Sequence, residues 1–152
     1  MDPEPPRLDD MYELAERENI HVMWENLLPA GESLYGLYIY YHGQCVILLD
    51  HRLRHDTPFL RSVLGEELGH HFTVPSTSIA STHLWASSTY RTCNSIDEAH
   101  ALRWAANYLI PDFWLLRAFR EGLQTVSALA EYFTVTPWMM YRKMEIREGR
   151  II

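Results

Sequence analysis

Two glutamates and two histidines lie close together in the segment LGEELGHH, which spans residues 64–71. Glu66 and His70 are four residues apart, so in a helix their side chains project from one face, one turn apart. This is the spacing of the two helical metal ligands in an H-E-x-x-H motif, here with glutamate in place of the first histidine. Glu67 then stands where such a motif has its general base. The segment therefore predicts a metal site that activates water for hydrolysis.

A third ligand is expected from the next predicted helix, in the segment DEAHA of residues 97–101. Glu98 offers a carboxylate there, although it also has the S-x-x-E spacing from Ser95 that closes a capping box. His100 is the alternative ligand, but a lone histidine of this kind is more often a hydrogen-bonded structural residue. All these residues also have an ordinary interpretation, a solvated polar helix face that binds no metal.

Two glycines in the same segment indicate close packing. Gly65 and Gly69 lie four residues apart in a predicted helix interior, where each costs about 1 kcal/mol relative to alanine. Apolar residues surround the polar ones, which is typical of a core helix. We therefore expect a neighbouring helix or strand to lie directly against these two glycines.

The rest of the chain predicts an α+β domain, with a small antiparallel sheet early and helices late. Residues 1–8 contain three prolines and are expected to form a frayed leader. Residues 73–92 show no clear period and are interpreted as a long surface segment. The spacing of apolar residues predicts a helix over 11–18, a strand over 20–24, a hairpin over 37–49, and helices over 57–72, 95–109, 112–121, 126–133 and 137–147.

Composition narrows the classes of function. The 152 residues include 13 basic and 20 acidic ones, for a net charge of −7. An acidic chain argues against general nucleic-acid binding, which needs a basic face. No apolar run is long enough for a transmembrane helix, the acidic, proline-rich start is unlike a signal peptide, and Cys45 and Cys93 form no disulfide framework. We expect one cytoplasmic domain over residues 1–152.

Several segments together resemble one family, the ImmA/IrrE-type zinc metallopeptidases of bacteria, phages and integrative elements. The most specific match is E-x-x-A-x-x-W-A-x-x-x-L-I-P over residues 98–111, where the family has a similar helix. The segment EELGHH resembles a phage-type branch of the family. Further similarity lies in LA at 14–15 with I-x-V at 20–22, LP at 28–29, GLY at 36–38, ILL at 47–49, and LA-x-x-F-x-VT at 129–136.

The resemblance implies a zincin-like metallopeptidase domain, with the sheet, an active-site helix and a helical C-terminal part over residues 112–152. Glu67 matches the general base, His70 and Glu98 match metal ligands, and Glu66 falls where the family has its first histidine. Carboxylate oxygen is an acceptable zinc ligand. With two carboxylates the ion becomes a weaker Lewis acid, so more depends on Glu67, and Mn²⁺ or Fe²⁺ compete better with Zn²⁺.

Four residues are candidates for stabilising the oxyanion or supporting the ligands. His71 follows His70 but lies about 100° around the helix from it, so it suits a supporting or substrate-facing role better than metal ligation. His83 and Tyr90 fall in the long surface segment, which is expected to border the cleft. His100 is the fourth candidate, and the sequence does not choose among them.

Three functions follow from these observations. In the first, the protein is a metallopeptidase that cleaves a protein substrate, by family analogy a helix-turn-helix repressor of a phage or prophage. In the second, it keeps the fold without activity and binds such a repressor or another phage protein. In the third, residues 126–147, which resemble a helix-turn-helix, bind DNA. Few basic residues lie there, so packing against the core is the favoured role of this segment.

Overall fold

The computed structural model of the protein describes residues 3–73 and 95–149, and within these ranges the chain is a mixed α+β structure. No helix in the described ranges is long and apolar enough to cross a bilayer. The elements, in chain order, are α1 (Leu8–Arg17), β1 (Ile20–Glu25), β2 (Gly36–Tyr41), β3 (Gln44–Asp50), α2 (Thr57–Thr73), α3 (Ser95–Leu109), α4 (Asp112–Arg120), α5 (Val126–Phe133) and α6 (Pro137–Arg147).

The sheet has three strands in the order β1-β3-β2. β2 and β3 form the predicted hairpin, whose turn residues His42 and Gly43 have φ angles of 49° and 78°. Positive φ at both turn positions gives a twist that matches the twist of the two strands. β1, however, pairs with β3 in parallel, so the prediction of an antiparallel sheet is corrected to a mixed one. Residues 26–35 carry the chain past the position of β3 to the far edge before the hairpin returns.

Helix α2 is the centre of the hydrophobic core. Leu60, Leu64 and Leu68 are buried, and the helix packs on α3 at one side and on β2 and β3 at the other. A helix covered on two sides needs apolar residues around most of its circumference. This arrangement explains why the polar residues of α2 stand among apolar ones, and it places them at the junctions between α2 and its neighbours.

The two glycines of α2 lie directly against α3, as their spacing predicts. A Cβ atom on Gly69 would overlap the carbonyl oxygen of Ala101 and would lie 3.0 Å from its Cα. A Cβ on Gly65 would lie 2.9 Å from Cδ1 of Leu109 and 3.6 Å from Cβ of Ala105. Gly69 therefore lets the two helix backbones approach more closely than any other residue would allow, whereas Gly65 meets a side chain of α3.

Residues 3–8 of the N-terminal leader are attached to the core, in contrast to the frayed segment that the prolines predict. The Arg61 guanidinium donates to the carbonyl of Pro6 (2.6 Å), and Nε1 of Trp114 donates to the carbonyl of Pro3 (3.0 Å). Arg61 is only 4% exposed, and burial lowers its pKa. A buried guanidinium needs acceptors, and Arg61 finds them in the leader and in two carbonyls at the end of α5.

The C-terminal helices α5 and α6 form the predicted helix–turn–helix arrangement and pack against the core. Thr134, with φ at 53°, ends α5, and the hydroxyl of Thr136 caps α6 by accepting from the backbone N–H of Met139 (3.1 Å). Lys143 of α6 is buried, and it contacts Asp112 at 2.8 Å. Its ammonium lowers the pKa of Asp112, whereas burial lowers the pKa of Lys143 itself. The side chains of α6 that face the core therefore pack against it.

Candidate metal centre

Two predicted metal ligands, His70 and Glu98, lie side by side. Nε2 of His70 is 3.4 Å from Oε1 of Glu98, and the two side chains are 9% and 38% exposed. His70 is in the last turn of α2 and Glu98 in the first turn of α3. The contact between Gly69 and Ala101 brings these two turns together, because Gly69 precedes His70 and Ala101 lies one turn after Glu98.

The separation of this pair fits two ligands of one tetrahedral ion. Ligand atoms about 2.0–2.2 Å from such an ion are about 3.3–3.6 Å apart, and imidazole nitrogen and carboxylate oxygen are both ligands that zinc accepts. Within residues 3–73 and 95–149, no group of three or more His, Cys, Asp and Glu side chains has the spacing of a metal site. Glu66 is partly buried one turn before His70, and its role as a third ligand stays a prediction.

Glu67, the predicted general base, is buried against the start of β2. Its side chain is 1% exposed, and a Cβ atom on Gly36 would lie 3.1 Å from both its Cγ and its Oε1. Glu67 and His70 are three residues apart, so they occupy neighbouring sides of α2, about 60° apart. Gly36 therefore leaves room for a carboxylate that is shielded from bulk water next to the His70–Glu98 pair.

His71 faces away from that pair, toward the sheet and α1. Its Nδ1 is 2.8 Å from the hydroxyl of Tyr38, and its Nε2 is 3.1 Å from Oε1 of Glu18. A supporting role for His71 agrees with this position, and metal ligation does not, because both nitrogens already have partners. No pattern in the sequence could identify Tyr38 and Glu18, since they lie on elements far from α2 along the chain.

His100, the remaining candidate among the described residues, is not part of this cluster. His100 is exposed on α3, two residues after Glu98 and therefore on a different side of the helix. His83 and Tyr90 lie outside the described residues. Of the residues predicted from the sequence, the structure thus brings His70 and Glu98 into contact and places Glu67 beside them on α2.

The comparisons with protein families and curated proteins give no evidence about the function of the chain. No protein-family model matches the chain, and no curated protein matches it at a significant level. The resemblance to the ImmA/IrrE-type peptidases consequently stays a prediction from the segments quoted above. Support for a function comes from the geometry of α2, α3 and β2.

Proposed function

We propose that the protein is a metal-dependent endopeptidase that acts in the cytoplasm. The observation that carries this proposal is the 3.4 Å approach of His70 Nε2 and Glu98 Oε1, made by two helices that meet through glycine. The nearly buried imidazole and a carboxylate from another helix meet at a distance that suits two ligands of one ion, and the same distance also suits a histidine–carboxylate ion pair. A buried carboxylate at Glu67, next to the pair, adds the base that hydrolysis needs.

The residues that would hold the ion are His70 and Glu98, with Glu66 as the third ligand. Zn²⁺ is the expected metal, and Mn²⁺ or Fe²⁺ suit a site with two carboxylates as well. When bound, the ion supplies Lewis-acid polarisation of the scissile carbonyl. Glu66 is one turn before His70 on α2, so its carboxylate reaches the same side of the helix.

Glu67 is the group of this chain that moves the proton. Its carboxylate accepts a proton from the water molecule whose oxygen bonds to the carbonyl carbon of the substrate. It then gives that proton to the amide nitrogen as the carbon–nitrogen bond breaks, so the products are a carboxylic acid and an amine. Packing against Gly36 holds this side chain in place and keeps bulk water from it.

The substrate that the family resemblance implies is a helix-turn-helix repressor of a phage or prophage. Fold-level analogy supports the reaction class better than the target. A repressor encoded beside the gene is therefore the first substrate to test.

Metal content and cleavage, measured on the same samples, test the proposal. Wild-type protein should take up one equivalent of Zn²⁺ by elemental analysis and cleave the neighbouring repressor into fragments that mass spectrometry identifies. Glu67→Gln should keep the metal and lose cleavage, whereas Glu98→Gln should lose both. Glu121→Gln is the matched control, because Glu121 is exposed on α4 and its carboxylate pairs with Arg117 rather than with a residue of the proposed site.

A binding protein without activity is the second candidate. The presence of Glu66 in the position of the first histidine favours it, because the change weakens the ion as a Lewis acid. In that case the wild-type protein should bind the repressor and leave it intact at every metal concentration. Uptake of no Zn²⁺, Mn²⁺ or Fe²⁺ by the wild type would overturn the peptidase proposal.

A further inference from the structure

His71 connects the last turn of α2 to two other elements. Its ring is hydrogen-bonded to Tyr38 in the middle of β2 through Nδ1 and to Glu18 at the end of α1 through Nε2. Tyr38 is only 5% exposed, so its hydroxyl depends on partners within the protein. The Sγ atom of Cys45 on β3 lies 3.2 Å from the same hydroxyl. A single imidazole thus joins α1, α2 and the sheet.

The partners determine which ring nitrogen carries the proton. An ionised carboxylate only accepts hydrogen bonds, so Nε2 must be the protonated nitrogen toward Glu18. In the neutral ring Nδ1 is then an acceptor, and the Tyr38 hydroxyl donates to it. Sγ of Cys45 is a second acceptor within reach of the same hydroxyl, and it is a weaker acceptor than the imidazole nitrogen. Tyr38, His71 and Glu18 therefore form one chain of hydrogen bonds with a single direction, from the hydroxyl to the carboxylate.

This connection acts on the turn that carries His70. The last carbonyls of a helix lack intrahelical N–H partners and depend on other contacts, and in α2 the hydroxyl of Thr73 donates to the carbonyl of Gly69 (2.7 Å). On one side, the turn is held where Gly69 meets Ala101. On the opposite side, His71 holds it to Tyr38 and Glu18. Together the two contacts restrain the turn from both sides, and a functional site tolerates a displacement of a ligand of only roughly 0.5 Å.

We propose that Tyr38 and Glu18, acting through His71 as its Nε2–H tautomer, are positioning residues for the His70–Glu98 pair. The inference rests on the proposed function, because positioning matters only if the pair binds a metal ion. Residues that orient metal ligands typically change metal affinity by about 10- to 100-fold when they are removed. We expect the lower end of that range, since His71 acts on His70 through the helix backbone.

The tautomer can be measured without metal. Protein labelled with ¹⁵N-histidine gives long-range ¹H–¹⁵N correlations, and His71→Gln identifies the His71 signals by their loss. We expect the Nε2–H tautomer in wild-type protein, and a shifted Nδ1 resonance in Tyr38→Phe. Observation of the Nδ1–H tautomer, or of the same His71 signals in Tyr38→Phe as in the wild type, would overturn the proposed chain of hydrogen bonds.

Metal affinity tests whether these hydrogen bonds position the metal ligands. Co²⁺ is the probe, because its visible absorption reports both affinity and coordination geometry. Tyr38→Phe should bind Co²⁺ about tenfold more weakly than the wild type. Tyr40→Phe, two residues along the same strand, is the control and should bind as the wild type does. Tyr38→Phe loses the hydrogen bond of a buried side chain and should melt at a lower temperature, so Co²⁺ affinity is measured well below both melting temperatures. Wild-type affinity in Tyr38→Phe overturns the positioning role. A wild-type protein that binds no Co²⁺, by contrast, overturns the proposed function, while the tautomer result stands by itself.

Discussion

Gly69 of α2 and Ala101 of α3 are in backbone contact, so that no side chain fits between them. The contact lies next to both predicted ligands, since His70 follows Gly69 and Glu98 is one turn before Ala101. The same feature therefore determines how the two helices pack and how far apart the two ligands lie.

Gly69→Ala should be strongly destabilising, because the new Cβ meets the Ala101 backbone, which cannot rotate away. Overpacking typically costs 1–3 kcal/mol, and we expect about 3 kcal/mol here by urea denaturation, together with loss of Co²⁺ binding. Gly65→Ala is the matched control. Its Cβ meets the flexible end of Leu109, and the gain of about 1 kcal/mol in helix propensity offsets that contact. Equal stability losses in the two variants would contradict this explanation.

Gly36→Ala should impair catalysis without removing the metal. The added Cβ would lie 2.5 Å from Cγ1 of Val63 and 3.1 Å from Oε1 of Glu67, so both side chains must move. A displacement of about 1 Å in a catalytic group can cost about 100-fold in rate. We expect that loss in repressor cleavage, with Zn²⁺ content unchanged.

The double variant Gly36→Ala/Val63→Ala separates the two clashes of Gly36→Ala. It relieves the contact with Val63 and leaves the one with Glu67. If the double variant recovers cleavage, the contact with Val63 caused the loss, and the explanation by displacement of Glu67 is wrong.

Much of the secondary structure could be predicted because its signals are local. Thr136 followed by Pro137 marks the start of α6 by side-chain capping and by the fixed φ of proline, and the structure has that cap. His42 and Gly43 separate two alternating apolar runs, and the turn forms there. The two helical glycines likewise indicated a close neighbour, because nothing within a helix compensates for their cost.

The relationships that could not be predicted join residues distant in the sequence. The parallel pairing of β1 with β3 depends on the path of residues 26–35, which no hydrophobic period specifies. The hydrogen bonds of His71 to Tyr38 and Glu18 need the assembled sheet and α1. For the site, spacing on one helix predicted the sides on which Glu66 and His70 lie, but the approach of Glu98 depends on how α2 and α3 pack.

Asp50 should make the stability of the fold depend on pH. This buried carboxylate accepts from the backbone N–H groups of Leu27 (2.7 Å) and Arg52 (2.8 Å) and from Nε of Arg52 (2.7 Å). Burial alone raises its pKa, but the hydrogen bonds outweigh burial and lower the pKa of Asp50. Because its folded-state pKa is depressed, its stabilisation is complete above the unfolded value of about 3.9 and is lost as pH falls through the folded value.

Asp50→Asn measures that contribution. The asparagine side chain has an NH₂ group in place of one carboxylate oxygen, and this donor would face the N–H groups of Leu27 or Arg52. We therefore expect a loss of about 2 kcal/mol in unfolding free energy at pH 7. The difference between wild type and variant should shrink at pH values below about 3.9, where the Asp50 carboxylate of the unfolded chain begins to be protonated while that of the folded protein is still ionised. Urea denaturation at pH 7 and at several acidic pH values gives both numbers, and a difference that stays constant with pH would contradict the assignment.

Arg61→Lys tests whether one buried guanidinium holds the leader and the C-terminal helices to α2. Arg61 donates to the carbonyls of Pro6, Phe133 and Thr134. The single ammonium group of lysine, at the end of a flexible side chain, cannot replace the planar guanidinium in all three hydrogen bonds. Hydrogen bonds to charged groups contribute about 1.5–3 kcal/mol, so loss of one or two should cost about 3 kcal/mol and expose the leader to limited proteolysis. Arg7→Lys is the control, since the Arg7 side chain is 83% exposed and, within the described ranges, forms its salt bridge with Asp10, a surface pair that contributes little to stability. If Arg61→Lys leaves the leader as protease-resistant as Arg7→Lys does, other contacts hold it in place.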